Sequence, residues 1–146
     1  MAKFKFRLEK VKQYRELIKK EAERTLLEKR AEANKAEENL HLLNEEKNRI
    51  KIDTDGILTA GELQVLASYE EFLLGLLKTQ KQVVEDTNKA VERAREVFID
   101  KAKDERALSL LKDKKYEEYQ EEETRRQKKE FSEIAINLER REKIGD

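Results

Sequence analysis

The sequence contains no cysteine, no proline and no tryptophan. Without cysteine there is no disulfide, no thiol nucleophile and no thiolate metal centre. Without proline, nothing in the backbone forces a helix to stop. Glycine, the other helix breaker, occurs only at Gly56, Gly61, Gly75 and Gly145. Long apolar runs are missing too, since no stretch approaches the ~18 residues of a membrane span. The start alternates Lys or Arg with Phe and lacks the continuous apolar core of a secretory signal. These features point to a soluble, cytoplasmic protein with no direct membrane insertion.

Charge is what the chain has in quantity. Charged residues make up 45% of the 146, and the apolar fraction is 37%. A chain dominated by Ala, Glu, Lys, Leu and Arg has the composition of a long helix or coiled coil. It can bury a narrow seam between helices but not a thick core. The 33 basic and 33 acidic residues cancel, so the net charge gives no reason to expect nucleic acid as a partner. The distribution is uneven, however. Residues 1–20 hold eight Lys or Arg against Glu9 and Glu16, a local charge of +6. Cations at a helix start oppose the helix dipole, which favours an interaction there, with an acidic protein surface or with nucleic acid.

Apolar residues recur at helical spacing from about residue 4 to 51: Val11, Tyr14, Ile18, Ala22, Ala33, Ala36, Leu40, Leu43 and Ile50. Thr25 or Leu26, and then Lys29, fill the gap. The run from Asp53 through Asp55-Gly56 to Ala60 reads as a loop, because Asp-Gly is a strong turn signal. Thr59 and Glu62 have the spacing of a capping box that opens a second helix. That helix spans about 61–140, with a seam at Leu66, Glu70, Leu73, Leu77, Gln80, Val84, Thr87, Val91, Ala94 and Phe98. Beyond Ala102 the seam weakens, and it returns at Leu108, Tyr116, Tyr119, Phe131, Ile134 and Leu138. The expected fold is all-α: a single domain in which two long helices form an antiparallel coiled-coil hairpin. The second helix is the longer, and its C-terminal part overhangs without a partner. A fold centred on Ile57 would put Phe4 opposite about residue 110.

A second stripe runs beside the seam of helix 2, through Val65, Tyr69, Phe72, Leu76, Thr79 and Val83. Each member precedes a seam position and is rotated by about 100° from it. This stripe stops at Val83 while its neighbour continues to Phe98. The longer stripe is therefore the hairpin seam and the shorter one a surface patch for another protein. The alternative is one wide buried face.

Catalytic and metal constellations are absent from the pattern. His41 is the sole histidine, too few nitrogen and sulfur donors for zinc. Asp53, Asp55 and Gly56 do not have the spacing of a calcium loop. No phosphate loop or nucleophile elbow is present. The expectation is a non-enzymatic protein with no cofactor and no metal. A coiled-coil holdase chaperone and a simple structural rod are the competing readings.

Two segments carry a family resemblance, and a third lies between them in a matching place. The start, Phe4-Lys5-Phe6-Arg7-Leu8-Glu9-Lys10-Val11 followed by Tyr14-Arg15-Glu16, resembles the opening of the flagellar export protein FliJ family. The end, Glu121-Glu122-Glu123 and then residues 126–135, resembles that family's closing segment. Tyr69-Glu70-Glu71-Phe72 lies where members have theirs. Lys12 and Ser132 depart from the family pattern, which usually has an apolar and an acidic residue there. The resemblance implies a coiled coil similar to the rotor stalk of rotary ATPases. It implies a part of the flagellar type III export apparatus, at the inner face of the membrane at the flagellar base. It also implies binding to the hexameric export ATPase, to the cytoplasmic domain of the export gate and to export chaperones. Carried onto this chain, the gate-binding surface would be Phe72, Leu76, Thr79 and Val83, with Asn39, Leu43 and Ile50 facing them. The ATPase-binding end would be Lys5, Arg7, Lys10, Lys12 and Arg15 with the facing C-terminal helix. The hairpin is expected as a monomer.

Overall fold

The structure is a computed structural model that describes residues 3–53 and 59–145. Two helices account for nearly all of it: α1, Glu9–Asp53, and α2, Ala60–Ile144. They lie against each other as a hairpin, and the described residues include no strand. The Asp55-Gly56 turn expected from the sequence lies outside the described residues. By its contacts the chain divides into two compact units, one of Ile18–Lys101 and one of Met1–Leu17 with Ala102–Asp146.

Neither helix contains proline, and both are rich in Ala, Leu, Glu and Lys, the residues that lose least on entering a helix. The start of α2 is held by a reciprocal cap. The Glu62 amide donates to Thr59 Oγ1 at 3.3 Å, and the Thr59 amide donates to Glu62 Oε2 at 3.2 Å. Two otherwise orphaned amides are satisfied in this way. At the other end of the chain, the Gly145 amide closes the last turn on the Arg141 carbonyl at 2.9 Å.

α1 begins later than its periodicity suggests. Residues 3–6 are non-helical and 7–8 form a turn, closed by the Glu9 amide donating to the Phe6 carbonyl at 3.1 Å. The reason is a change of period. Phe4, Phe6 and Leu8 are half-buried, while Lys3, Lys5 and Arg7 are exposed. That alternation has the two-residue period of a strap lying on a surface, not the 3.6 of a helix.

In the Ile18–Lys101 unit the seam is narrow and apolar. Ala22, Leu26, Ala33 and Ala36 of α1 are buried, as are Leu73 and Leu77 of α2. Gln80 reaches across to donate from Nε2 to the Ala36 carbonyl at 2.9 Å. This is possible because alanine leaves the facing backbone accessible. Extended toward the N-terminus, the heptad phase of Ala22, Leu26, Ala33 and Ala36 passes through Lys19, Arg15, Lys12 and Leu8, all of them half-buried. Val11 and Tyr14, taken from the sequence as seam residues, are instead 42% and 64% exposed. They are the larger apolar side chains, but they sit one position out of phase, and register outweighs hydrophobicity in a two-helix seam.

The other unit has a more polar seam. Leu108 is its buried apolar residue, and Lys112 Nζ meets Glu9 Oε2 at 2.8 Å. Phe4 packs on Tyr116 and Tyr119, with ring centroids 5.3 and 5.5 Å away. These partners lie farther along α2 than the residue near 110 given by a fold centred on Ile57. The strap contributes to the offset, because a non-helical residue can advance about 3.3 Å against 1.5 Å in a helix and so reaches farther along α2.

Truncating the seam and truncating the neighbouring stripe should have different consequences. Leu73→Ala or Leu77→Ala is expected to cost about 2–3 kcal/mol by cavity formation, read as a loss of thermal stability. The double variant Phe72→Ala with Leu76→Ala should melt close to the parent. A Cβ added at Gly75 would meet nothing within 4 Å. Gly75→Ala should therefore stabilise the helix by about 0.5–1 kcal/mol in a denaturant titration.

Candidate partner-binding surfaces

The apolar stripe of α2 lies on the surface of the Ile18–Lys101 unit. Phe72 is 60% exposed and Leu76 38%, whereas their neighbours Leu73 and Leu77 are 3% and 4% exposed. One residue of helix rotation separates the two classes. Val65, Tyr69 and Val83 are exposed along the same stripe. Thr79 is exposed and donates its hydroxyl to the Gly75 carbonyl at 3.1 Å, a bond within its own helix that leaves its methyl on the surface. Tyr69 extends toward α1, where its hydroxyl lies 3.4 Å from Glu46 Oε1.

On α1, Asn39 is exposed, while Leu43 and Ile50 are half-buried and continue the seam phase of Ala36 and Leu40.

The stripe also does not stop at Val83. Tyr69, Leu76 and Val83 are seven residues apart, and the same step leads to Ala90 and Val97. These two line a groove with Ala94 of α2 and with Ile18, Ala22 and Thr25 of α1. The sequence reading missed this stretch because it followed large side chains. Alanines in register make a furrow where leucines make a ridge. The signal was present as Ala90 and Ala94 opposite the alanine-rich stripe of α1. Four charged residues also border the furrow: Glu21, Lys29, Arg93 and Lys101. Lys29 pairs with Glu32 at 3.4 Å. Arg93 and Lys101 have no ion-pair partner among the described residues.

The basic residues of the other unit divide into two sets. Lys5, Arg7 and Lys10 are exposed. Lys12 and Arg15 turn into the seam, where Lys12 Nζ sits 2.6 Å from Glu16 Oε1 and Arg15 Nη1 donates to the Asp104 carbonyl at 3.0 Å. These two serve the fold and are not available as a free cationic surface. The hydrogen bond that Lys12 Nζ donates to Glu16 raises the Lys12 pKa from its ordinary value of 10.5. Desolvation opposes the shift, and the charges of Glu16, Glu9 and Glu105 reinforce it. Lys12 therefore stays charged at neutral pH.

From Thr124 to Ile144 every residue of α2 is exposed. Phe131, Ile134 and Leu138 are 71%, 55% and 56% exposed. With Ala135 they form an i, i+3, i+4, i+7 stripe. The seam phase carried past Tyr119 would run instead through Arg126, Lys129, Glu133 and Arg140. The apolar face of this segment has thus left the hairpin seam. Among the described residues, no group of His, Cys, Asp or Glu could hold a metal ion, and no helix is long and apolar enough to cross a membrane.

Compared with known families, the model described as flagellar FliJ protein matches residues 4–143. The chain belongs to the FliJ family. The match takes in both units of this FliJ-family chain, from the strap at Phe4 to the end of α2. No curated protein sequence matches it. Among solved structures, the fold of a chlamydial protein described as a YscO homolog, CT670 from Chlamydia trachomatis, is similar to that of this FliJ-family chain. The TM-score is 0.65 at 22% identity, covering 99% of this chain and all of that one. At that identity the likeness concerns the fold.

The Lys12 contacts of this FliJ-family chain predict a pH response of known sign. A lysine whose folded pKa is raised contributes stability that is fully present below its unfolded value. That contribution is lost as pH climbs through the folded pKa. Amide exchange around residues 9–17 should accelerate above pH 10.5 relative to residues 26–36. Lys12→Met should abolish this alkaline step.

Proposed function

We propose that this chain is a non-catalytic coupling stalk of the flagellar type III export apparatus. In this reading it binds the hexameric export ATPase, promotes its assembly and activity, and contacts the export gate and export chaperones. The observation that carries the proposal is the family match across 4–143. The division of exposed chemistry between the two units supports the finer assignments.

The Met1–Leu17 and Ala102–Asp146 unit presents Lys5, Arg7 and Lys10 together with the exposed C-terminal segment of α2. A cationic cluster beside an exposed amphipathic helix suits an acidic protein surface, and the ATPase ring is assigned to this unit. Lys12 and Arg15 would shape this end through their seam contacts instead of touching the ring. The Ile18–Lys101 unit presents Phe72, Leu76, Thr79 and Val83, with Asn39 exposed on α1. Exposed aromatic and aliphatic side chains of this kind anchor protein contacts, and the cytoplasmic domain of the gate is assigned here. The protein would then act at the inner face of the membrane, held there by its partners.

Mechanistically, the chain would transmit and not react. A two-helix seam with strict register resists internal sliding within each unit. The purified chain should raise ATP hydrolysis by a cognate export ATPase while hydrolysing nothing itself. The triple variant Lys5→Glu, Arg7→Glu and Lys10→Glu should lose this stimulation. Phe72→Ala with Leu76→Ala should keep it and lose binding to the gate's cytoplasmic domain. ATPase activity that stays flat across a full titration would sink the reading. Aggregation suppression without any ATPase effect would favour a holdase instead.

A further inference from the structure

We propose that residues 3–12 form a two-state element. One state is the extended strap of this structure, with Lys12 turned inward. The other is α1 continued back to Phe4, with Val11 turned inward, and it is favoured when an acidic surface lies against Lys3, Lys5, Arg7 and Lys10. The proposal deepens the assignment of an acidic partner surface to this unit and rests on it for the trigger alone.

Local sequence does not fix where α1 begins. A helix start is ordinarily held by a Ser, Thr, Asn or Asp side chain at its N-cap. The start of α2 has one, in the reciprocal bonds of Thr59 and Glu62. The chain leading into α1 has none, and the first such residue is Thr25. No proline or glycine precedes Glu9 either, so nothing in the backbone bars an earlier start. The boundary is held instead by the turn that the Glu9 amide closes on the Phe6 carbonyl, and by the packing of Phe4 on Tyr116 and Tyr119.

Each state is consistent within itself. The observed seam runs through Leu8, Lys12 and Arg15, all half-buried, and leaves Val11 exposed. A helix continued back in that phase would turn Lys5 inward. The strap avoids this by turning Phe4, Phe6 and Leu8 inward at a period of two. A second phase, through Phe4, Leu8, Val11 and Arg15, also has the spacing of a seam, and only Arg15 in it is charged. That phase requires Phe4 to be helical. The two phases share Leu8 and Arg15, so a small rotation of this end of α1 exchanges Lys12 for Val11.

Charge decides between them. The present start has Glu9 in its first turn, the sign that the helix dipole favours. Continued back to Phe4, the helix would begin among Lys3, Lys5 and Arg7, the sign that the dipole opposes. In the free chain this keeps the strap extended. An anionic surface against these exposed cations offsets the cost. The continued helix would then set Lys3, Arg7 and Lys10 at i, i+4 and i+7, in one row toward that surface. A ligand shifts such an element only by preferring one state, and the charge–dipole interaction supplies the preference.

The test is NMR on the isotope-labelled full-length chain, reading the Cα shifts of residues 4–8 and the Phe4–Tyr116 ring contact. Lys3→Asp with Lys5→Glu supplies an N-cap and reverses the dipole interaction without any partner. In that variant residues 4–8 should acquire helical shifts and the ring contact should be lost. Protection of the Leu8, Lys10 and Val11 amides should rise about tenfold, the scale of several relieved charge–dipole interactions. In the same background, Val11→Cys should react with maleimide several-fold more slowly than in the parent. Tyr14→Cys, which belongs to neither phase, should react equally fast in both. Arg7→Pro locks the strap. Arg7 is the second of four residues in the Phe6–Glu9 turn, a position that accepts proline, and proline there keeps Phe6 out of the helical region. Arg7→Ala removes the same charge without the lock. Poly-L-glutamate at low ionic strength should convert the parent and Arg7→Ala, but not Arg7→Pro. Extended shifts at residues 4–8 in the Lys3→Asp, Lys5→Glu chain would overturn the proposal, as would conversion of Arg7→Pro. Failure of poly-L-glutamate to convert the parent would overturn the acidic trigger. No ATPase or gate enters these measurements, so their failure leaves the coupling role standing.

Discussion

The structure depends on keeping one narrow strip of each helix in contact with the other over many turns. Two helices have no third layer behind which to hide an error. A residue at an inward position is covered, and its neighbour one step away is not. Leu73 and Leu77 are nearly inaccessible while Phe72 and Leu76 lie open. The reason is rotation by about 100° per residue, not any difference in hydrophobicity. The same constraint sends Lys12 and Arg15 inward and leaves Val11 and Tyr14 outside. A charged side chain accepts an inward position when its stem packs and its head finds a partner. Glu16 and the Asp104 carbonyl supply those partners here.

Alanine gives the seam its second character. Ala22, Ala33 and Ala36 bring α1 close to α2, close enough for Gln80 to reach a main-chain carbonyl. Where small residues coincide on both helices, the junction between them sinks into a furrow. One side of the Ile18–Lys101 unit therefore passes from the ridge of Tyr69, Phe72 and Leu76 into the groove at Ala90 and Ala94. Both features follow from the same heptad, read at positions beside the seam. The exposed apolar surface of this unit is the remainder left when a single partner helix covers only part of a wide apolar face.

The two units differ in what holds them. One relies on aliphatic burial. The other combines Leu108 with an ion pair, a charged hydrogen bond and the Phe4, Tyr116 and Tyr119 cluster. Polar seams tolerate local opening better than apolar ones, because water can replace what is lost. Membership of the FliJ family sets this pattern in a component of flagellar export.

Much of this was legible in the residues. The absence of proline, the scarcity of glycine and the 3.5-residue repeat determine two long helices. Thr59 and Glu62 mark the start of the second, and the parallel run of two stripes on α2 shows that one must be left over. These are local or periodic signals, and the chain carries them without reference to anything distant. Three outcomes were decided only by tertiary structure. The phase at the start of α1 was decided by the facing side chains of α2, which fixed Lys12 as inward against its own polarity. Residues 3–8 became a strap because α2 offered Tyr116 and Tyr119 to Phe4. The apolar side of the Ile18–Lys101 unit extended to Val97 because alanines on two helices met, and a furrow is a property of the pair. Periodicity tells a helix which faces it has, but what covers each face depends on its neighbour.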